Sequence, residues 1–278
     1  MAIESDPIYI QGRSESETQR LILQALIYDA NTRRFLQDAG LTTGMKVLDV
    51  GSGARDVAFL AARLVGPTGS VVGVDQNSEV LETARERARA ARLAHVTFVE
   101  GDIRAADLPN DFDAAIGRLV LMYTTDPAQA LKAAVNHVQP GGIVAFQEVE
   151  VPLLLQYAES VQMPVFREIV RCLVELFRHG GVPLSTGFGL HQVFLAAGLP
   201  APTMSTYSPM GGPPEWPGYR GMVETMRSVL PLLEHFEITT AEKLDLDTLA
   251  DRLLAEVESA GTPMAGATHV GAWARIPM

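Results

Sequence analysis

The sequence predicts an α/β fold built on a mostly parallel sheet with helices on both faces, and two observations carry that expectation. Short apolar runs alternate with segments of helical period through five successive units. Turn-forming stretches, GPTG at 66–69 and QPGG at 139–142, stand between a helix end and the next apolar run. Strand and helix in alternation is the pattern of parallel strands joined by crossover helices.

The elements follow in order. Residues 15–39 place Leu21, Ile22, Leu26, Ile27, Phe35 and Leu36 at helical spacing among polar residues, with Gly40 at the C-cap position, so one bent or two short helices are expected. KVLDV (46–50), SVVGV (70–74), HVTFV (95–99), FDAAI (112–116) and IVAFQ (143–147) read as strands. Helices are expected over 56–65, 78–92 and 127–138, and an acid-rich connection follows the third strand. Beyond residue 150 an amphipathic segment (160–179, with Pro164 near its start) precedes a short helix (188–197), a strand (203–208) and a Pro/Gly loop (209–218). Helices near 219–230 and 247–260 and a last strand, HVGAWAR (269–275), complete the chain.

Composition narrows the function classes. The 278 residues are 47% hydrophobic and 20% charged, which suits a folded core and neither a disordered chain nor a membrane span. The formal charge is −11, with 14 basic against 20 acidic side chains up to residue 150 and 8 against 13 beyond it. No basic half is available to neutralise phosphates, so nucleic acid is not an expected partner. Arg85, Arg87, Arg89 and Arg92 interleave with Glu82 and Glu86 and read as a solvated helix face. Residues 180–214 lack Asp, Glu, Lys and Arg, but Pro and Gly break them before a span of about 20 apolar residues is reached. The single cysteine, Cys172, allows no intrachain disulfide, and the polar, acidic start lacks the pattern of a signal peptide. A soluble cytoplasmic protein, monomer or homodimer, is expected.

The chemistry concentrates in VLDVGSGARD (47–56). A buried strand ends there in a turn whose Gly51 and Gly53 can adopt φ > 0 and admit a ligand to the backbone, just before a helix N-terminus. That place, beyond the carboxyl end of the first strand, is where ligands bind in open parallel sheets. Asp75 ends the second strand, 22 residues after Gly53, where an acid can accept from both ribose hydroxyls. Asp102 follows the third strand. The third glycine of a dinucleotide motif is replaced by Asp56, whose charge would repel a pyrophosphate but tolerate an ammonium or sulfonium. An NAD(P)-dependent oxidoreductase on a related fold is thereby disfavoured, and a cofactor-binding protein without catalysis is the other alternative.

The chain resembles the class I S-adenosylmethionine-dependent methyltransferases, in particular the bacterial small-molecule group with quinone C-methyltransferases and natural-product enzymes. The resemblance lies in VLDVGSG (47–53), VGVD (72–75), EGDI (100–103), FDAAIGR (112–118) and VQPGG (138–142), in the family's order and spacing. It implies a Rossmann-like, seven-stranded, mostly parallel sheet whose last strand is antiparallel. Residues 41–150 would form the cofactor-binding core, with 1–40 and the inserted helices of 151–278 as a helical lid within one structural domain. It further implies that Asp49, Gly51, Ser52 and Gly53 surround the methionine part of S-adenosyl-L-methionine and that Asp75 binds the ribose. Gln76 would lie beside the adenosine, Gly101, Asp102 and Ile103 at the adenine, and Arg118 at the methionyl end.

Methyl transfer to carbon, nitrogen or oxygen needs alignment of the reactants and exclusion of water, and a base only where the acceptor must lose a proton. Glu148, at the end of the fifth strand, is the first candidate for that base; Glu150, His179, His191 and His235 follow. The two Asp-Xaa-Asp runs, 111–113 and 245–247, read as capping or solvated residues, and no metal is expected. Seven of the ten methionines lie beyond residue 150, which suits a small, largely uncharged, aromatic or apolar acceptor. Tyr9, Tyr28, Met122, Tyr123, Phe188, Met204, Tyr207, Met210, Trp216 and Met222 are candidates for its walls, most of them with core packing as the competing role.

Overall fold

The computed structural model describes residues 15–53 and 56–278, with side chains from residue 23 onward except Asp56. In chain order the elements are α1 (Glu15–Ala39), β1 (Lys46–Val50), α2 (Asp56–Val65), β2 (Ser70–Asp75), α3 (Ser78–Ala90), β3 (Val96–Glu100), β4 (Phe112–Arg118), a 3₁₀ turn (Leu121–Tyr123), α4 (Pro127–Val135) and β5 (Val138–Val149). They continue with α5 (Val151–Ser160), α6 (Pro164–His179), α7 (Thr186–Ala196), β6 (Thr203–Tyr207), β7 (Met210–Gly211), α8 (Gly218–His235), α9 (Ala241–Leu244), α10 (Leu249–Ala260), β8 (Met264–Ala265) and β9 (His269–Arg275). The chain divides into two compact units.

The larger unit comprises Asp29–Glu148, Thr186–Thr206 and Val270–Met278. Its described residues form a seven-stranded sheet in the order β3-β2-β1-β4-β5-β9-β6. β1 pairs in parallel with β2 and β4, β2 with β3, and β4 with β5. β9 runs against β5: Gly141 N–H donates to Ile276 O at one end, while Glu150 N–H reaches Thr268 O at the other. Strand side chains alternate between two faces. Val47, Val71, Ala114, Ile116, Ile143 and Ala145 pack with Phe35 and Leu36 of α1 and with α2 and α3. Leu48, Val74, Ala115, Val144 and Phe146 pack with α4 and α7. The ring of Phe35 meets Trp273 of β9 edge-on, 5.7 Å between centroids.

Local chemistry sets the helix starts. Asn77 caps α3, its Oδ1 accepting from Glu79 N–H (3.1 Å) and Val80 N–H (3.3 Å). Asp126 caps α4 by accepting from Gln129 N–H (2.9 Å), with Pro127 in the first turn. QPGG (139–142), expected as a turn before the strand, lies inside β5. The register slips from Phe112↔Val138 to Ala114↔Ile143, and Gly141 takes φ 77°. A Cβ on Gly142 would stand 2.9 Å from Asp113 O, so the bulge needs its glycines.

The smaller unit comprises Met1–Tyr28, Val149–Ser185 and Tyr207–His269. The expected 160–179 segment forms α6, with Pro164 in its first turn, and 161–163 separate it from α5, a helix the sequence reading does not include. The N-terminus of α6 is charge-capped by Glu256 of α10, which accepts from Val165 N–H (2.7 Å) and Phe166 N–H (3.1 Å). β7 and β8 form a short antiparallel pair. The Trp216 indole lies over Gly211 and Gly218, where a Cβ would stand 2.2 and 2.1 Å from it, and meets Tyr219 edge-on at 5.4 Å. Among the described residues no helix is long and apolar enough to cross a membrane.

Candidate functional site at the strand edge

β1 is buried from Val47 to its end, and the chain leaves it through Gly51 (φ 63°) and Gly53 (φ 53°), left-handed backbone that glycine adopts without strain. Asp49 is 1% exposed and lies opposite Ile116 of β4. Ser52 N–H donates to Val74 O (3.1 Å), tying the turn to β2. The fit around the turn is close. A Cβ on Gly51 would stand 2.3 Å from Val120 Cγ2, and one on Gly73 would stand 2.7 Å from Ser52 Oγ. That Oγ is buried and has no hydrogen-bond partner among the described residues.

The second and third strands end beside this turn. Asp75 accepts from Gly53 N–H through Oδ2 (2.9 Å) and from Asn77 N–H through Oδ1 (3.0 Å). Its carboxylate is thus fixed by two backbone amides and keeps lone pairs for a further donor. Gly101 N–H donates to Asp75 O (2.9 Å), and Ile103 is 9% exposed. Asp102 is grasped by Arg104, whose Nε lies 2.9 Å from Oδ1 and whose terminal nitrogen lies 2.5 Å from Oδ2; Gln76 Nε2 adds a weaker donor at 3.3 Å.

At the ends of β4 and β5 the side chains turn to one another. Arg118, its side chain 6% exposed, donates to Thr32 Oγ1 (3.1 Å) and lies 3.7 Å from Asp29 Oδ1; Thr32 in turn donates to Gln147 Oε1 (3.0 Å). Leu119 takes φ 57°, rare for a residue with a Cβ. After it Val120 and Leu121 point their N–H groups at Glu148 Oε1, at 3.0 and 2.8 Å. Glu148 is wholly buried, and burial pushes its carboxyl up to about 7 against the pull of these amide bonds.

The structure therefore brings Asp49, Gly51, Ser52, Gly53, Asp75, Gln76, Gly101, Asp102 and Ile103 to the carboxyl ends of β1–β3, and Arg118 and Glu148 to those of β4 and β5. His191 is exposed on α7, while His179 and His235 are exposed with their rings against Phe236. Asp111 pairs with Lys46 at the opposite ends of the strands, and Asp245 ends α9. Among the described residues no three His, Cys, Asp or Glu gather as a metal site. Of the proposed acceptor walls, Tyr28, Met122 and Met222 are buried, whereas Phe188 and Met210 are exposed. Tyr9, Arg55 and the side chains of Leu21, Ile22 and Asp56 lie outside the described residues. Arg104, Thr32 and Gln147 were not singled out in the sequence; Gln147, beside Glu148 at a strand end, carried a positional signal, and Thr32 carried none.

Residues 41–171 match the family model described as a methyltransferase domain. The demethylmenaquinone methyltransferase of Staphylococcus aureus (strain JH9) is 34% identical over 140 residues, covering 49% of this chain and 53% of that protein. The chain thus spans about half the length of the curated relatives it matches. Among solved structures, the YcgJ protein of Bacillus subtilis has a TM-score of 0.57 at 17% identity, covering 90% of this chain and 100% of its own. Phosphoethanolamine N-methyltransferase 2 of Haemonchus contortus, solved in complex with S-adenosyl-L-methionine, has a TM-score of 0.54 at 18% identity, covering 90% of this chain and 53% of its own. Both are likenesses of fold.

Proposed function

We propose that this chain, whose residues 41–171 match a methyltransferase-domain family model, is a class I S-adenosylmethionine-dependent methyltransferase that transfers a methyl group from S-adenosyl-L-methionine to a small, largely uncharged, aromatic or apolar acceptor. The observation that carries this reading is the strand-edge cradle. A turn opened by two left-handed glycines faces an Asp75 carboxylate already held by two backbone amides, and a buried Ser52 hydroxyl in the same turn has no partner among the described residues. These residues fit the cofactor. Gly51, Ser52, Gly53 and Asp49 would hold its methionine part, Asp75 the ribose hydroxyls, and Gln76, Gly101, Asp102 and Ile103 the adenosine, with Arg118 near the methionyl end.

The cofactor supplies an electrophilic methyl group whose departure leaves a neutral thioether, so no leaving group needs a proton. The chain's part is to bind and orient, and to exclude water from the reacting centre. Acceptor selection is assigned to the chain outside 41–150. The name of the staphylococcal relative, a demethylmenaquinone methyltransferase, supports an aromatic, apolar acceptor. The methionine-rich composition beyond residue 150 supports it too. A role in secondary metabolism within the cytoplasm accords with these features.

Calorimetric titration with S-adenosylmethionine, S-adenosylhomocysteine and NADH tests the cofactor, and a mass gain of one methyl group across phenols, indoles, quinones and isoprenoids tests the acceptor. Asp75→Ala is expected to weaken S-adenosylhomocysteine binding by about 1–3 kcal/mol through lost hydrogen bonds to a charged group. Tight NADH binding with none for the sulfonium would overturn the proposal.

A further inference from the structure

We propose that Glu148 is a positioning residue of the cofactor cradle, setting the turn after β4 so that Val120 forms a wall against Gly51. The proposal rests on the methyltransferase reading of that cradle. The chain of contact has three links. Glu148 Oε1 accepts from Val120 N–H (3.0 Å) and Leu121 N–H (2.8 Å), so one buried oxygen fixes two successive peptide units. The residue before them, Leu119, is left-handed at φ 57°, a conformation that is strained for a residue with a Cβ and needs surroundings that hold it. The Val120 side chain then stands so close to Gly51 that no Cβ could be added there without a 2.3 Å clash. Glu148 is thereby linked to the glycine turn through a neighbour and not by touching the ligand.

Two further observations separate this task from proton transfer. Glu148 is 0% exposed, and its second oxygen, Oε2, is buried with no hydrogen-bond partner among the described residues. A carboxyl in that setting, held near 7 by burial, offers Oε1 as an acceptor whether or not it carries a proton. An amide oxygen in the same place can do the same work, whereas an apolar side chain of similar size cannot.

The test compares Glu148→Gln, Glu148→Leu and the wild type for S-adenosylhomocysteine affinity by calorimetry and for amide hydrogen exchange in peptides spanning 117–124. Glu148→Gln is expected to bind within about threefold of wild type with unchanged exchange, because the two amides keep their acceptor. Glu148→Leu, checked by circular dichroism to be folded, is expected to lose about tenfold or more in affinity and to exchange faster at 117–124. Wild-type affinity in Glu148→Leu, or a loss in Glu148→Gln as large as in Glu148→Leu, would overturn the positioning role while leaving the cofactor reading intact. Absence of S-adenosylhomocysteine binding in the wild type would remove the cofactor reading and this inference with it, even if the exchange data still showed the Glu148 clamp on the turn.

Discussion

Two carboxylates at strand ends differ in what surrounds them, and the difference decides how each could be read in advance. Asp75 sits at the mouth of a glycine turn, half-exposed and oriented by neighbours within two residues or across one strand. Its place was legible because strand, turn and acid are all local patterns. Glu148 was visible as a strand-end acid, but its environment depends on a turn 27 residues away in sequence and on complete burial, neither of which a local pattern records. Burial also couples this residue to pH. Its folded-state carboxyl is raised from 4.5 to about 7, so below the unfolded value both states are protonated and the group costs nothing. As pH rises from about 4.5 towards 7 the unfolded chain ionises first and stability falls, by up to about 3 kcal/mol if the full shift is realised. In urea titrations the midpoint of Glu148→Gln should therefore gain on the wild type between pH 5 and pH 8; a constant difference between the two would refute the assignment.

At the scale of elements, the five strands and the helices α2, α3 and α4 follow the sequence expectation because apolar period, cap and turn agree at each of them. α5 was missed. Its VPLLL opening continues directly from β5, and an apolar run joined to a strand has no period of its own to announce a helix. α9 is four residues long, below what periodicity can detect. The bulge at 139–142 reads as a turn in the sequence since glycine and proline mark both, and only the register with β4 distinguishes them. The Arg118–Thr32–Gln147 chain escaped for a similar reason, its members being 86 and 115 residues apart. For α3 the cap makes a clean prediction. Asn77→Ala removes the side-chain acceptor and should cost about 1 kcal/mol in chemical denaturation. Because the Asn77 backbone amide still reaches Asp75, cofactor affinity should stay at the wild-type level. A parallel loss of affinity would show that the cap and the carboxylate are not independent.

For the molecule as a whole, the larger unit draws its stability from two apolar layers, one on each face of the sheet, and the central strands β1, β4 and β5 contribute side chains to both. Phe146 is 0% exposed in the second layer, its ring against Gly117, which has no side chain to make way for it. Phe146→Ala should cost about 3–5 kcal/mol in urea unfolding, the range for deleting a buried aromatic ring from a packed core. A cost under 1 kcal/mol would mean that this layer is loosely packed. The acidic balance has a place at this scale too, since the helix-face arginines Arg85 and Arg89 both reach Glu82 on α3. The smaller unit is held differently, through helix-on-helix packing of α6 against α5, α8 and α10, with Glu256 seated on the first turn of α6. The chain's two tryptophans fall one to each unit, Trp216 against its pair of glycines in the smaller and Trp273 against Phe35 in the larger. The protein thus carries a built-in pair of fluorescent reporters: with Trp216→Phe or Trp273→Phe, the remaining indole's emission follows the melting of one unit alone, with no dye attached.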